Sequence, residues 1–262
     1  MVNMRLVFLG CTQFSKEILE FIFTQKNVEI VGIFSMPKNF KISYSDKSVN
    51  NKNFADLSVY AKLLNVPYSE INSVPGQRLN DHYDTLKELN PDIILVMGWY
   101  YMVNSKIRNV AKYGAWGIHA SLLPRYAGGA PLVWAIINGE KETGVTLFRM
   151  EDGVDDGDII AQRAFDIEKS DTIKEVYEKA TIASKNVLCE VFEDFSKVTF
   201  SSQRKEDIEV WPQRKPEDGE IDWSQEPEKI KDFIRAQTKP YPGAWTIVEG
   251  RKVIIWDADI IT

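Results

Sequence analysis

One segment of the chain, Tyr113 to Pro131, reads YGAWGIHASLLPRYAGGAP and carries His119, one of only two histidines in the sequence. Histidine exchanges protons nearer neutrality than any other unperturbed side chain, so a lone one among glycines and prolines is a candidate acid or base. The glycines of GGAP let backbone approach a ligand closely. The same residue also fits a core histidine bonded to a carbonyl, and the segment by itself leaves the two readings level. Ser121 follows two positions on, but no glycine-flanked nucleophile elbow surrounds it, and it reads as structural.

A second constellation, MEDGVDDGDII, places Asp152, Asp155, Asp156 and Asp158 around two glycines. The calcium-loop spacing with its distal glutamate is absent, so a solvated turn is the default. The alternative is that one aspartate is aimed at His119, fixing the ring as it takes up a proton. Spacing leaves both open. Cys11 and Cys189 are the only cysteines and stand far apart, as do His82 and His119, so neither a disulfide framework nor a metal site is expected. Gly10 in FLGCTQFS stands alone without the three-glycine dinucleotide fingerprint. No phosphate loop ending in GK[ST] exists either, which disfavours a redox enzyme or a kinase.

These residues need elements to hold them. The chain has 262 residues, 44% hydrophobic and 27% charged, the balance of a soluble globular protein. No run approaches the roughly 18 to 20 apolar residues of a spanning helix, and the opening MVNMRLVFLGCTQFS reads as a first strand, so no membrane and a cytoplasmic location are expected. A net charge of −6 gives no long-range attraction to a nucleic-acid backbone. LVFLG, EIVGIFS and DIILVMG read as apolar strands, separated by KEILEFIF, a face of Leu57, Tyr60, Ala61 and Leu64, and HYDTLKEL, which read as helices. The last stops at Asn90-Pro91, because a residue before proline is pushed out of the helical region. The stretch from Pro37 to Asn53 reads as a polar connection. Strands apolar on both faces and alternating with helices predict an α/β, Rossmann-like, mostly parallel sheet with helices on both faces. Ligands of such sheets collect beyond the carboxyl ends of the strands, where Gly10 to Phe14, Gly98 to Tyr101 and His119 fall.

PLVWAIING then predicts a short helix, and TGVTLFRM and DIIAQRAFDI two more strands. Thr172 with Glu175 predicts a capping box for a long helix to about Phe192, with Ile173, Val176, Tyr177, Ala180, Val187 and Val191 toward the core. After Val198 the composition changes. EKIKDFIRA reads as a helix and WTIVEGRKVIIWDADII as a hairpin about Glu249-Gly250. The expected organisation is a domain over 1–198 and a small β-rich C-terminal region over 199–262.

The series HASLLPRYAGGAPLVWAIINGEKETGVTLFRMEDGVDDGDII resembles the signature of the formyltransferases that use N10-formyltetrahydrofolate, over most of Met4 to Phe192. The resemblance implies that His119 is the catalytic histidine and Asp155 its partner. It also implies a folate slot with Met97, Gly98, Trp99 and Leu122, the loop from Val154 to Asp158 reading the ring edge, and no metal. The family's asparagine, two residues before the histidine, is Gly117 here. Ala127 stands where a basic residue is commoner. WPQRKPEDGEIDW and IRAQTKPYPGAW resemble the tail of the sugar N-formyltransferases, which implies a nucleotide-linked amino sugar, dTDP-linked, as acceptor. Trp211 and Tyr241 would then stack on the base and Arg214 and Lys215 meet the diphosphate. Trp223, Trp245 and Trp256 are expected to fill the small region's core. The hairpin, as an uncovered edge, is expected to pair across a homodimer. Two alternatives stand beside this reading: a nearly inactive nucleotide-sugar binder, suggested by Gly117, and a methionyl-tRNA formyltransferase.

Overall fold

The structure is a computed structural model that describes residues 3–41 and 48–261. Two compact units form, one from Met1–Ile118, Leu147–Asp152 and Leu188–Phe200, the other from His119–Thr146, Gly153–Val187 and Ser201–Thr262.

The first unit runs β1 (Met4–Leu9), α1 (Gln13–Phe23), β2 (Val28–Ser35), β3 (Asn39–Lys41), β4 (Ser48–Asn50), α2 (Ser58–Leu64), β5 (Tyr68–Glu70), α3 (Tyr83–Glu88), β6 (Ile93–Val96), α4 (Ser105–Arg108) and β7 (Ala115–His119). Five of these strands pair in parallel in the order β7-β6-β1-β2-β5. Leu6, Val7, Phe8 and Leu9 of β1 and Ile93, Ile94 and Leu95 of β6 are wholly buried, as strands covered on two faces require. The chain builds outward from β1 to β2 and β5, then returns to set β6 on the other side of β1. That reversal leaves the crevice beyond the carboxyl ends of β1 and β6 as the natural ligand position. Thr12 caps α1 in a capping box with Ser15, and Ile18, Leu19 and Ile22 bury its inner face. The pairing of β3 with β4 falls inside the stretch that reads as a polar connection. Three-residue strands with only Phe40 buried are too short to print an alternating pattern. Residues 42–47 of that stretch lie outside the described residues.

The second unit contains β8 (Ala127–Gly128), α5 (Pro131–Ile137), most of β9 (Glu142–Arg149), β10 (Ile159–Asp166), most of α6 (Ile173–Glu193), β11 (Val210–Trp211), α7 (Pro227–Arg235), β12 (Ala244–Val248) and β13 (Arg251–Ile255). Proline opens α5, where its missing N–H costs nothing. The Thr172 amide and hydroxyl both donate to the Glu175 carboxylate, at 2.9 and 2.5 Å, the reciprocal half of the expected cap. Parallel pairing of β11 with β8 ties the chain after residue 200 to the segment just after His119. Composition shifts near 198, but the compact unit that holds the tail also holds His119 and Asp155.

Small size governs the hairpin of β12 and β13. Ile221, Ile234 and Ala244 form its buried cluster, with Ile230, Phe233, Ile255 and Ala258 against them. A two-stranded ribbon cannot cover both its faces. Against the expectation of a core position, Trp223 is 55% and Trp256 39% exposed. The Trp223 indole donates to the Thr246 hydroxyl at 2.9 Å, and the Lys239 ammonium sits 5.3 Å from the Trp256 ring. Trp245 is half-buried. Among the described residues, no helix is long and apolar enough to cross a membrane.

Candidate active site

His119 ends β7 and is buried. Its Nε2 lies 2.7 Å from the Tyr126 carbonyl oxygen and its Nδ1 3.3 Å from Asp155 Oδ2. Both readings left open by the segment are therefore present at once: a carbonyl holds one side of the ring and a carboxylate faces the other. A carbonyl only accepts, so Nε2 carries a hydrogen and Nδ1 is the ring atom left to gain or lose one. With a second proton at Nδ1, each N–H has an acceptor.

The partners of this pair are themselves held. Asp155 Oδ2 also accepts the Gly128 amide at 2.8 Å, a charge-assisted bond. Asp155 sits at φ +51, a left-handed conformation that aspartate tolerates better than most residues. Tyr126, at φ +55, donates its hydroxyl to Glu140 at 2.8 Å, accepts from Asn138 at 3.1 Å, and packs its ring 5.2 Å from that of Trp211. Gly128, at φ +91, has no room for a side chain, since a Cβ would lie 2.5 Å from the Trp211 carbonyl oxygen. Ser121 is spent on structure: its hydroxyl donates to the Arg125 carbonyl at 2.6 Å. Thr146 braces the same turn, donating to Ser121 O at 2.6 Å and accepting from Leu123 N at 3.0 Å. Tyr126, Gly128 and Thr146 escape a reading of side-chain types because two of them act through backbone atoms.

Three of the four clustered aspartates go to different partners. Asp152 pairs with buried Arg108 at 2.5 Å in the first unit. In the second, Asp155 faces His119, Asp158 accepts the Ser202 hydroxyl at 2.8 Å, and Asp156 Oδ1 is buried without a partner. No group of three or more histidine, cysteine or acidic side chains among the described residues could hold a metal ion.

The folate candidates are set in place by close backbone approach. In the first unit Gly98 has φ +60, and a Cβ there would lie 2.2 Å from Thr12 Oγ1. The Ser15 hydroxyl donates to the Met97 carbonyl at 2.5 Å, and the Cys11 thiol to the Gly98 carbonyl at 3.3 Å. Trp99 packs edge-on to Tyr101, and its indole N–H is buried without a partner. In the second unit Leu122 packs on Gly144, Val154 is 52% exposed, and Gln203 Oε1, like Asp156 Oδ1, is a buried acceptor without a partner.

Of the acceptor candidates, Arg214, Lys215 and Tyr241 line one cavity of about 60 Å³ in the second unit. That is room for about two waters, not for a nucleotide. Arg214 is held against the rings of Trp134 and Phe233, 4.7 and 5.5 Å away, and donates to Gln237 Oε1 at 2.8 Å and to Asp218 O. Burial pushes its guanidinium below the usual value. Tyr241 shares a 2.6 Å hydrogen bond with Tyr177, and burial raises both phenols. Trp211 stands apart from that cavity, between Tyr126 and Trp134. A larger cleft of about 720 Å³ beside α5 and α7 is lined by none of the candidate residues.

The sheet is of the mostly parallel α/β class, and a buried histidine at the end of β7 facing a loop aspartate is an arrangement able to move a proton. The chain belongs to the formyl transferase family: the formyl transferase domain matches residues 4–192 and the formyl transferase C-terminal domain residues 214–262. It is 31% identical over 265 residues to the methionyl-tRNA formyltransferase of Caldanaerobacter subterraneus subsp. tengcongensis, covering 98% of this chain and 81% of that one. It is 39% identical over 179 residues to the bifunctional polymyxin resistance protein ArnA of Wigglesworthia glossinidia brevipalpis, 68% of this chain but 27% of that one. Among solved structures, a sugar N-formyltransferase from a Shewanella species shares the fold at TM-score 0.71 and 19% identity, covering 99% of each chain. An N-formyltransferase of Helicobacter canadensis, in complex with folinic acid and dTDP-3-aminofucose, does so at TM-score 0.68 and 20% identity, covering 97% and 87%. The protein is thus a formyltransferase of the family that draws on formyltetrahydrofolate.

Proposed function

We propose that this formyltransferase acts on the amine of a nucleotide-linked amino sugar, dTDP-linked, with His119 and Asp155 as its catalytic pair. The observation that carries the reading is the geometry of that pair, which leaves Nδ1 of His119 as the one ring atom able to take a proton, beside a carboxylate. Bound N10-formyltetrahydrofolate supplies an electrophilic formyl carbon. The attacking amine would grow acidic as its bond to that carbon forms; His119 Nδ1 takes the proton and returns it to N10 as the bond between N10 and the formyl carbon breaks, so that tetrahydrofolate leaves. Asp155, anchored by the Gly128 amide, receives the new N–H, while the Tyr126 carbonyl keeps the ring from turning. Two sets of residues are proposed for the folate, Met97, Gly98 and Trp99 in the first unit and Leu122 with the loop of Val154 to Asp158 in the second. Gly117 offers no side-chain donor to the formyl oxygen, so a slow enzyme is part of this proposal, and a nearly inactive binder of the sugar nucleotide stands as its alternative.

The sugar acceptor is supported by the tail's sequence and by a net charge of −6, which repels a polyanion. The second reading, methionyl-tRNA, is favoured by the match to a methionyl-tRNA formyltransferase along 98% of the chain. Incubation with N10-formyltetrahydrofolate and a panel of dTDP-, UDP- and GDP-amino sugars, followed by mass spectrometry, separates them. The proposal requires a formylated sugar nucleotide; tight sugar-nucleotide binding without product selects the binder. Two copies are proposed to pair through the hairpin, where Ile247, Ile254 and Trp256 share one face and are 51%, 44% and 39% exposed.

A further inference from the structure

The loop that carries Asp155 has little order of its own. Gly153 and Gly157 flank it, Asp155 stands at φ +51, and no helix or strand spans it. A catalytic carboxylate on such a loop needs an external brace, because misplacement by about 1 Å costs on the order of 100-fold in rate. The brace comes from the segment that follows Phe200. Ser201 and Ile159 exchange two backbone hydrogen bonds, each 2.8 Å, and the Ser202 hydroxyl donates to Asp158. The Gln203 side-chain amide then donates to two carbonyls of the loop, Asp155 O at 2.7 Å and Gly157 O at 2.7 Å. A primary amide nitrogen has two hydrogens, and here each meets one carbonyl. Seven residues on, β11 pairs with β8, and the Trp211 carbonyl accepts the Gly129 amide at 2.8 Å. The same short stretch therefore holds the loop of Asp155 on one side and the Gly128 amide that bonds Asp155 on the other.

We propose that Gln203 is a positioning residue for the reaction, acting through the Asp155 backbone to keep the carboxylate facing His119 Nδ1. This rests on the role given above to the His119–Asp155 pair. Glutamate at 203 fills the same volume but, ionised, has no hydrogen to give, and alanine has neither volume nor donor. Gln203→Ala and Gln203→Glu are expected to lower kcat on the order of ten- to 100-fold, with little change in the KM of the sugar nucleotide.

The decisive readout does not depend on turnover. The chain holds two histidines, so ring-15N-histidine labelling of the full-length protein gives two sets of ring signals, His119 in question and His82 as an internal control of folding. At one fixed pH, both Gln203 variants are expected to move the His119 signals toward those of Asp155→Asn while leaving His82 in place. Unchanged His119 signals in Gln203→Glu would overturn the proposal, as would full kcat in that variant, since filled volume alone would then suffice. Failure of the sugar assay with the His119 shift intact would count against the proposed substrate and not against this brace.

Discussion

Placing an asparagine at position 117 tests the proposal that a donor to the formyl oxygen is missing there. Alternation along β7 puts residue 117 on the same face as His119, two positions on. Gly117 is free of left-handed strain, and a Cβ built there would meet Phe148 Cε1 at 3.4 Å and Met150 Sδ at 3.5 Å, ordinary van der Waals contact. The Cβ of Gly117→Asn therefore fits without displacing either neighbour, and the fold is expected to hold. An amide aimed at the formyl oxygen is worth about 2.7 to 4 kcal/mol of barrier, or on the order of 100- to 1,000-fold in kcat. Steady-state formyl transfer at saturating substrates reads that gain, and a thermal melt reads the cost. An unchanged kcat with an unchanged Tm would refute the claim that this position lacks a donor, and a lowered Tm would refute the packing argument.

Asp155→Asn keeps the shape of the loop but replaces the carboxylate that receives the Nδ1 hydrogen, and should lower kcat on the order of 100- to 10,000-fold with folate binding retained by fluorescence titration. Burial raises the Cys11 thiol from 9.0 to about 12, so a thiol reagent at neutral pH should modify one cysteine, exposed Cys189, in the native chain and two in denaturant. Cys11 also contributes stability that is fully present below pH 9 and is lost as pH rises toward 12, because the unfolded thiol ionises first; denaturant titrations across that range should show stability falling. Arg214→Ala strands the Gln237 and Asp218 acceptors and should cost about 1 to 3 kcal/mol of stability, whereas exposed Lys215→Ala should leave the melt unchanged.

The sheet was legible because its strands are unbroken apolar runs, such as LVFL and IILV, whose burial on both faces leaves one arrangement open. α1, α5 and α6 were legible from caps and spacing. The pair of His119 and Asp155 came from the resemblance, since 36 positions of chain separate the two and no periodicity links them. Its setting was not legible at all. Tyr126 and Gly128 act through a carbonyl and an amide that every residue carries, and Gln203 acts on backbone atoms 46 and 48 positions away. The aromatic residues of the tail misled for a related reason: hydrophobic type suggests burial, but a lone hairpin has too little partner surface to bury Trp223 and Trp256.

The central claim, formyl transfer to a sugar amine by the His119–Asp155 pair, is tested most directly by isotope. Formyltetrahydrofolate labelled with 13C in its formyl group is offered together with a dTDP-amino sugar and methionyl-tRNA, to wild type and to His119→Asn. Label is expected on the sugar nitrogen from wild type, with almost none from the variant. Label confined to methionyl-tRNA, or equal labelling of the sugar by both proteins, would contradict it.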